Sequence, residues 1–540
     1  MEQQSETKKG IPPAAIIGII LLVLCGISLY IRIALPYDQV FANGINGTVL
    51  FKGNDPWYHM RLVENLATHF PHHIYFDPYT HFPHGTPVPW PPFLDWLIVA
   101  ISWIVGLGHP AQHTLEAVAA YVPAILGSLI VIPVYFIGKE LFNKWAGVIS
   151  AALVVILPGE FLHRSLLGFT DHHVAETLFS TVTVLFLILA IKRAREREIS
   201  FQHLVSRDWA TIRKPLIYTL LAGIFLGIYL LTWVGGLMFV FILFVWLVIE
   251  FLIEHLRRKS TDYLCITGFI TFFIAFIISV PFLPKRGLFT IAVISLVIAM
   301  LVPLALSGIS RLMAGKGIKP FYYPLALLGL AGIGLGILYA INPNMPGSMP
   351  RLSGIFTPGV TGLTIQEVQP TTIPVAWASY TTSFFIAFIS FGLLIYASIR
   401  QESADVTLFL VWSLIMLFAV FGQRRFTYYY AVNAALLTGY FSWRILDFAG
   451  LKELLVKPKE VVKAYTTKAK KKKRKEKAKA KVSGRGFLQP RAAWIKVIVA
   501  GIAIFFLVFF PNIGRTQALA KSPTLINPAW YDSLVWLGEN

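Results

Sequence analysis

The stretch IIGIILLVLCGISLYIRI, residues 16–33, decides what kind of protein this chain is. An apolar helix of this length crosses a hydrocarbon core about 30 Å thick. It is too long for a cleaved signal peptide, and no small-residue cleavage site follows it. Comparable apolar stretches recur along the chain, which is 56% hydrophobic and only 14% charged. Because a soluble domain of this size needs far more polar surface, we predict an all-α polytopic membrane protein.

Apolar segments long enough for membrane helices recur about thirteen times. They are residues 13–35, 116–138, 145–158, 174–191, 215–232, 237–253, 264–282, 288–307, 322–341, 384–399, 406–421, 427–447 and 494–511. A further apolar run, residues 93–105, is too short for its status to be decided by length alone. If it lies on or dips into the outer surface, nearly all Lys/Arg-rich loops fall on one side, as cytoplasmic loops do. We therefore place the N-terminus inside and the C-terminus outside.

This topology divides the chain into a membrane domain, residues 1–511, and a short external end, residues 512–540. The membrane domain then carries a large first external loop at 37–114, a fifth external loop at 342–383 and a basic cytoplasmic loop at 448–492. The basic loop holds much of the net charge of +20, and its lysine run contains no aromatic side chain on which bases could stack. We expect it to lie beside anionic lipid headgroups, and we predict no nucleic-acid partner.

Two acidic clusters stand at the predicted external edge of the bundle. One is GNDPWYH, residues 53–59, which contains Asp55, and the other is DHHVAE, residues 171–176, which contains Asp171 and His173. Carboxylate oxygens with an imidazole suit Mg²⁺ or, better, Mn²⁺. Each aspartate has a simpler alternative role as a cap at the start of a helix.

Four more polar positions are predicted on the same external face. Glu367 lies in the Gly- and Pro-rich fifth loop, and its plain alternative is a solvated loop glutamate. Arg425 and Trp233 stand at the ends of spans, where they would also serve as interfacial anchors. His81 lies in the first external loop, and a guanidinium such as that of Arg425 suits a lipid phosphate.

Taken together, these residues resemble the catalytic subunit of oligosaccharyltransferases, most closely the archaeal AglB type. The resemblance runs through nearly the whole chain. Its motifs are Asp55-Pro56-Trp57-Tyr58-His59, Arg164-Ser165 with Gly168 and Asp171-His172-His173, Thr364-Ile365-Gln366-Glu367, and Arg425-Phe426 followed by tyrosines. The resemblance implies a GT-C bundle of thirteen membrane helices. It also implies transfer of a glycan from a dolichyl phosphate or diphosphate to the asparagine of Asn-x-Ser/Thr in an acceptor protein.

The resemblance also suggests roles for the polar residues, which we hold as a mechanistic hypothesis. Asp55 and Glu367 would accept the two N–H bonds of the acceptor amide. The reaction would be metal-dependent and would invert the anomeric carbon. The expected ligands of Mn²⁺ or Mg²⁺ are Asp55, Asp171, His173 and Glu367, and the expected contacts to the donor phosphate are His81, His172, Trp233 and Arg425.

One family feature is missing from this sequence. The family carries a Trp-Trp-Asp-Tyr-Gly motif in an external domain after the last span, and this sequence contains no such motif. Residues 512–540 would correspond to the start of a truncated or absent external domain. Another lipid-dependent GT-C glycosyltransferase remains an alternative. A secondary transporter is disfavoured because the spans are nearly free of acids and show no internal repeat.

Overall fold

A computed structural model describes residues 12–42, 49–283, 289–341, 365–455, 490–523 and 528–539. Most of the fifth external loop and the lysine run of the basic loop therefore lie outside the described residues. The regular secondary structure of the described chain is helical apart from one antiparallel pair of strands, β1 (Phe76–Asp77) with β2 (Thr86–Pro87), in the predicted first loop at 37–114.

The described helices follow one another along the chain. They are α1 (Pro13–Leu29), α2 (Asp55–His69), α3 (Phe93–Val105), α4 (Gln112–Leu129), α5 (Val131–Leu141), α6 (Lys144–Ile156), α7 (Glu160–His163), α8 (His173–Glu196), α9 (Phe201–Val205), α10 (Trp209–Leu230), α11 (Leu237–Leu256), α12 (Asp262–Ser279), α13 (Phe289–Gly315), α14 (Tyr323–Ile341), α15 (Ile373–Tyr380), α16 (Thr382–Arg400), α17 (Ala404–Gly422), α18 (Thr427–Phe448), α19 (Leu451–Leu455), α20 (Pro490–Ile504), α21 (Phe510–Ala520) and α22 (Pro528–Glu539).

Within the described ranges, 11 helical stretches are long and apolar enough to cross a membrane. This confirms the prediction of an all-α polytopic membrane protein. Two predicted segments, 145–158 and 427–447, also form helices, α6 and α18, but they are not among the eleven. The figure of thirteen spans therefore stays a prediction.

Helix α18 contains many polar side chains and is buried among other helices. Nearly all of its residues from Thr427 to Trp443 are buried. Its polar side chains consequently find partners inside the bundle, as where Asn433 Nδ2 donates to Ser413 Oγ at 3.1 Å. A helix enclosed by protein does not need the uniformly apolar surface that a lipid-facing helix needs.

Residues 93–105, whose status charge had to decide, form the short helix α3. At 13 residues, α3 is grouped with the shorter apolar helices and not with the eleven candidate spans. Its start is tied to the bundle because Phe93 N donates to Leu231 O at 3.1 Å. Its last turn, which includes Ile104 and Val105, is exposed. This geometry agrees with a helix that dips into one side of the bundle.

The connection between α6 and α8, residues 157–172, is held in place by buried Arg32 at the end of the first span. Arg32 Nε donates to Ser165 Oγ at 2.9 Å, and Arg32 O accepts from Leu167 N at 2.9 Å. Gly168 has φ +81°, and its backbone bonds to both Lys52 N and Ala120 O. A side chain is strained at that φ, so glycine lets this connection meet both the loop of Lys52 and helix α4.

At the end of the bundle remote from the 157–172 connection, ion pairs join the helices to one another. Arg195 Nη2 lies 3.1 Å from Glu254 Oε1 and 2.9 Å from Glu402 Oε2. These residues come from the end of α8, the end of α11 and the turn before α17. The two ends of α8 are thus both fixed by polar contacts.

We predict that Gly439→Ala destabilises the bundle, because α6 and α18 approach each other closely at this point. A Cβ at Gly439 would lie 2.0 Å from Ser150 Oγ and 2.9 Å from Ser150 N. Overpacking of this kind costs about 1–3 kcal/mol, which should lower the melting temperature in detergent. The matched control is Gly392→Ala in α16, where no heavy atom lies within 4 Å. Equal melting temperatures for the two variants would contradict the close approach.

Candidate active site

The centre of the site is the carboxylate of Asp171, which lies immediately before α8 and is fully buried. Its Oδ1 accepts from the backbone N–H of His172 at 2.6 Å, and its Oδ2 lies 3.1 Å from His173 Nε2. His59 Nε2, from α2, lies 3.5 Å from Oδ1. Three imidazoles from two separate parts of the chain therefore surround one carboxylate.

These neighbours keep Asp171 ionised. Burial alone would raise the pKa of Asp171, but the imidazoles of His172 and His173 hold it well below its usual range. A buried carboxylate with this set of partners is a fixed negative charge.

Glu176 forms a second acidic point one helical turn further along α8. Its Oε1 lies 3.2 Å from His173 Nδ1 and 3.3 Å from His172 Nε2. Its Oε2 accepts from the hydroxyls of Tyr428 and Tyr429 on α18, the first at 3.0 Å. Each of the two histidines thus lies between the carboxylates of Asp171 and Glu176.

His59 is itself held by the buried carboxylate of Asp95 in α3. His59 Nδ1 lies 2.9 Å from Asp95 Oδ1, and His73 Nε2 lies 2.9 Å from Asp95 Oδ2. Burial by itself would lower the pKa of His59, but Asp95 and Asp171 raise it to about 10. A positively charged His59 therefore links α2 and α3 to Asp171.

Asp55 begins α2, four residues before His59, and its side chain is exposed. Partial desolvation and the charge of Asp171 raise the pKa of Asp55, while His173 and His172 oppose this and Glu367 adds to it. The carboxylate of Asp55 is therefore in electrostatic range of both Asp171 and Glu367. Asn54, not Asp55, occupies the capping position of α2, and its side chain makes no capping hydrogen bond.

Glu367 is fixed by a chain of ion pairs. Its Oε2 accepts from Arg164 Nη2 at 3.1 Å, and Arg164 Nε donates to Glu160 Oε2 at 3.1 Å. Arg424 Nη2 completes the chain at 2.7 Å from Glu160 Oε1. The loop that carries Glu367 is thereby tied both to the 157–172 connection and to the segment before α18.

A cavity of about 790 Å³ opens beside this ion-pair chain. Its polar wall is formed by Glu160, Arg164, Glu367, Arg424 and Arg515. The wall includes Gly159, whose φ is +83° and whose Cβ would lie 2.4 Å from Ser379 Cα. Only glycine allows the backbone to pass α15 this closely, so this residue shapes one side of the cavity.

The four predicted phosphate contacts are only partly brought together. The rings of His172 and Trp233 are stacked, with centroids 6.5 Å apart. Arg425 Nε instead donates to Gln423 Oε1 at 2.6 Å. His81 lies in an exposed turn with φ +51°, where its ring neighbours that of His84. Among the described contacts, none joins His81 or Arg425 to the pair formed by His172 and Trp233.

The described residues offer compact groups of metal-ligand atoms within 4.8 Å of one another. Two of the groups lie at this site: His59 with Asp171 and His172, and His172 with His173 and Glu176. Of the four predicted ligands, Asp171 and His173 are in direct contact. Asp55 and Glu367 belong to neither group. A third group, Glu250 with Glu254 and Glu402, lies at the other end of the helices, where Arg195 already pairs with two of its members.

Several residues of the site were missed by sequence reasoning. Glu176 stands one turn after the histidines, at the i+3 and i+4 spacing that places side chains on one helix face. Asp95 is a lone acid in the apolar run 93–105, and buried acids of this kind need partners. These two signals were available in the sequence. The pairing of Arg164 with Glu367, 203 residues away, had no local signal.

We predict that Glu176→Gln, which keeps the shape of the side chain but removes its charge, lowers the stability of the protein. Removing one charge from a buried, paired network costs about 3–5 kcal/mol, so the melting temperature in detergent should fall clearly. The control is Glu196→Gln at the exposed end of α8, where loss of the pair with Arg193 should cost less than about 1 kcal/mol. A melting temperature of the Glu176 variant equal to that of the control would refute a structural role for this carboxylate.

Solved structures share this architecture. The structure of archaeal oligosaccharyltransferase AglB from Archaeoglobus fulgidus, in complex with an inhibitory peptide and a dolichol-phosphate, has a TM-score of 0.83 and 27% identity, covering 98% of this chain and 58% of that chain. The structure of the Archaeoglobus fulgidus oligosaccharyltransferase in complex with Zn and sulfate has a TM-score of 0.74 and 25% identity, covering 96% and 55%. The shared fold is of the GT-C type.

The sequence comparison agrees. Dolichyl-phosphooligosaccharide-protein glycotransferase 3 of Archaeoglobus fulgidus is 28% identical over 542 residues, covering 96% of this chain and 57% of the relative. The chain thus spans little more than half the length of the relatives it matches. A model of the N-terminal part of the oligosaccharyl transferase STT3 matches residues 20–452. The chain belongs to the STT3 oligosaccharyl transferase family.

Proposed function

We propose that this chain carries the catalytic membrane domain of an oligosaccharyltransferase. It would transfer an oligosaccharide from a dolichyl phosphate or diphosphate to the asparagine amide of Asn-x-Ser/Thr in an acceptor protein. The observation that carries the proposal is the meeting of Asp171, its histidines and the Glu367 cavity at one end of the bundle. The similarity to a structure that contains both a peptide and a dolichol-phosphate supports the same substrate classes.

A divalent metal fits the residues of this site. His59 Nε2 and His172 Nδ1 are buried beside Asp171 Oδ1, at 3.5 Å and 2.5 Å, and neither forms a well-aligned hydrogen bond with the described residues. Ionised Asp171 and neighbouring imidazoles form a mixed oxygen and nitrogen donor set, which suits Mn²⁺ or Mg²⁺. We assign the metal to Asp55, Asp171 and His173, with Glu367 as a further ligand. When bound, such an ion would neutralise charge on the departing lipid phosphate.

The acceptor amide needs activation because its nitrogen lone pair is delocalised. The barrier of about 18–20 kcal/mol to rotation of a peptide bond gives the scale of that conjugation. Asp55 and Glu367 would each accept one N–H of the amide and so favour a twisted geometry with a localised lone pair. Glu367 suits this role because Arg164 holds Oε2, while Oε1 has no hydrogen-bond partner in the described part of the chain.

The donor phosphate would bind next to the stacked rings of His172 and Trp233. Arg425 and His81 would reach it after the rearrangement that substrate binding produces in many enzymes. The acceptor nitrogen would then form its bond to the anomeric carbon as the bond from that carbon to the phosphate oxygen breaks, and the nitrogen would give up one proton to Asp55 or Glu367. A single displacement of this kind inverts the anomeric configuration.

The orientation in the membrane is part of the proposal. Among the described residues, the Lys- and Arg-rich segment 192–197 at the end of α8 lies opposite to Asp171 along that helix, and cytoplasmic loops carry such an excess. The active site would therefore open on the external face of a cell membrane.

We predict that a peptide containing Asn-x-Thr becomes glycosylated when it is incubated with this chain, a dolichyl-linked oligosaccharide and Mn²⁺. The assay is run with the chain alone and with the chain joined to the C-terminal part of the Archaeoglobus relative, and mass spectrometry detects the product. Asp55→Ala should abolish the reaction without changing the melting temperature. Excess chelator should also abolish the reaction.

The outcome distinguishes an oligosaccharyltransferase, another GT-C glycosyltransferase and a protein without transferase activity. A glycopeptide formed in either arm and lost with Asp55→Ala supports the proposal. Consumption of the lipid-linked donor with a different acceptor would indicate another GT-C glycosyltransferase. Failure of both arms to consume the donor would overturn the enzymatic proposal, and normal turnover in chelator would overturn the metal.

We predict that Arg425→Ala weakens the binding of the lipid donor more than it lowers the rate of the reaction. Loss of a charged hydrogen bond to phosphate costs roughly 1.5–3 kcal/mol, so the KM for the lipid donor should rise at least about tenfold. The KM for the peptide should stay constant. Arg213→Ala, which removes an exposed guanidinium from the start of α10, is the matched control. An unchanged donor KM for Arg425→Ala would refute the phosphate role.

A further inference from the structure

A second cavity, of about 450 Å³, lies at the end of the bundle opposite to the active site. It is formed where α11 and α13 end and where α12 and α14 begin. Helix α11 begins next to Trp233 and ends at this cavity, and its 20 residues span about 30 Å. The cavity therefore lies on the other side of the membrane from Asp171.

Cationic side chains dominate the lining of this cavity. Arg258, Lys259, Arg311 and Lys319 all line it, and the lining contains one acid, Asp262. Arg311 already binds that acid through two hydrogen bonds of 3.0 and 2.8 Å. The cavity therefore carries a clear excess of positive charge.

Two of these cations have no anionic partner. The side chains of Arg258 and Lys319 make neither a hydrogen bond nor an ion pair with the described residues. Lys259 lies 3.9 Å from Glu254 Oε2, at the limit of an ion pair. The excess charge is thus available to a ligand.

Polar atoms without partners are buried next to the cations. His255 lines the cavity and is only 5% exposed, its Nδ1 lies 2.7 Å from Ser310 Oγ, and its ring stacks on Tyr323 at 4.0 Å. Its Nε2 has no hydrogen-bond partner within the described chain, and neither does Thr261 Oγ1. Buried polar atoms are nearly always paired in folded proteins, so two orphans beside one basic cavity point to a ligand.

We propose that this cavity binds a phosphate group carried by an anionic membrane lipid. Phosphate needs several cations and several hydrogen-bond partners at once, and the cavity supplies both. Basic pockets between membrane helices on the cytoplasmic side are the usual sites for anionic lipid headgroups. The site is separate from the proposed transfer chemistry and does not depend on it.

The surroundings favour a lipid as the source of the phosphate. The adjoining candidate spans end at Leu256 and Gly315, so the cavity lies where these helices would leave the membrane. Ile318 lines the cavity and is exposed, and Leu312, one turn before the end of α13, is also exposed. An acyl chain would thus find an apolar surface next to the headgroup.

The test uses the whole chain in detergent and counts bound lipid by native mass spectrometry. Phosphatidylglycerol is compared with phosphatidylcholine of equal acyl length, and inorganic phosphate is added as a separate competitor. The double variant Arg258→Gln with Lys319→Gln should weaken phosphatidylglycerol binding roughly ten- to thirtyfold, because two cations near the headgroup are lost. Phosphatidylcholine binding should not respond.

Lys316→Gln is the matched control, because it removes one exposed charge in the same segment without lining the cavity. It should change the affinity less than about threefold, within the contribution of a surface charge. Tight binding of inorganic phosphate that the double variant abolishes would assign the site to a soluble phosphate source. The proposal would be overturned if the double variant and the wild-type chain had equal affinities for phosphatidylglycerol and equal affinities for inorganic phosphate.

Discussion

The active end of this protein depends on the burial of one ionised carboxylate, that of Asp171. An ionised group inside a protein is tolerated only when charged and hydrogen-bonding partners surround it. Those partners are His172 and His173 at the start of α8 and His59 on α2. The need to compensate one charge therefore fixes α2 against the start of α8.

The same constraint extends outward in two directions. Asp95 binds both His59 and His73, so α3 is drawn into the site through its one buried acid. On the other side, Glu176 connects the histidines to the tyrosines of α18, 252 and 253 residues away. Because these buried polar groups contact one another in sequence, the loops of the site are tied to the membrane helices.

Polar chemistry is divided between the two ends of the helices. At one end, carboxylates and imidazoles meet beside a cavity that contains Glu367 and Arg164. At the other, arginines and lysines surround a basic cavity and a salt-bridge cluster around Arg195. The apolar interior separates the two ends because few charged groups are stable within the hydrocarbon core. One bundle can thus present acidic and basic sites to different surroundings.

The sequence by itself determined the membrane class, the helical segments and the separate status of the short apolar run at 93–105, and it singled out Asp171 and His173 as members of one site. Each of these follows from apolar run length or from neighbours only a few residues apart. Only the tertiary structure decided that His59, Asp95 and Glu176 complete the Asp171 group. It also decided that Arg164 binds Glu367, while Arg425 turns to Gln423. The reason is that buried charges take their partners through space, and a linear pattern does not record which distant side chain reaches them first.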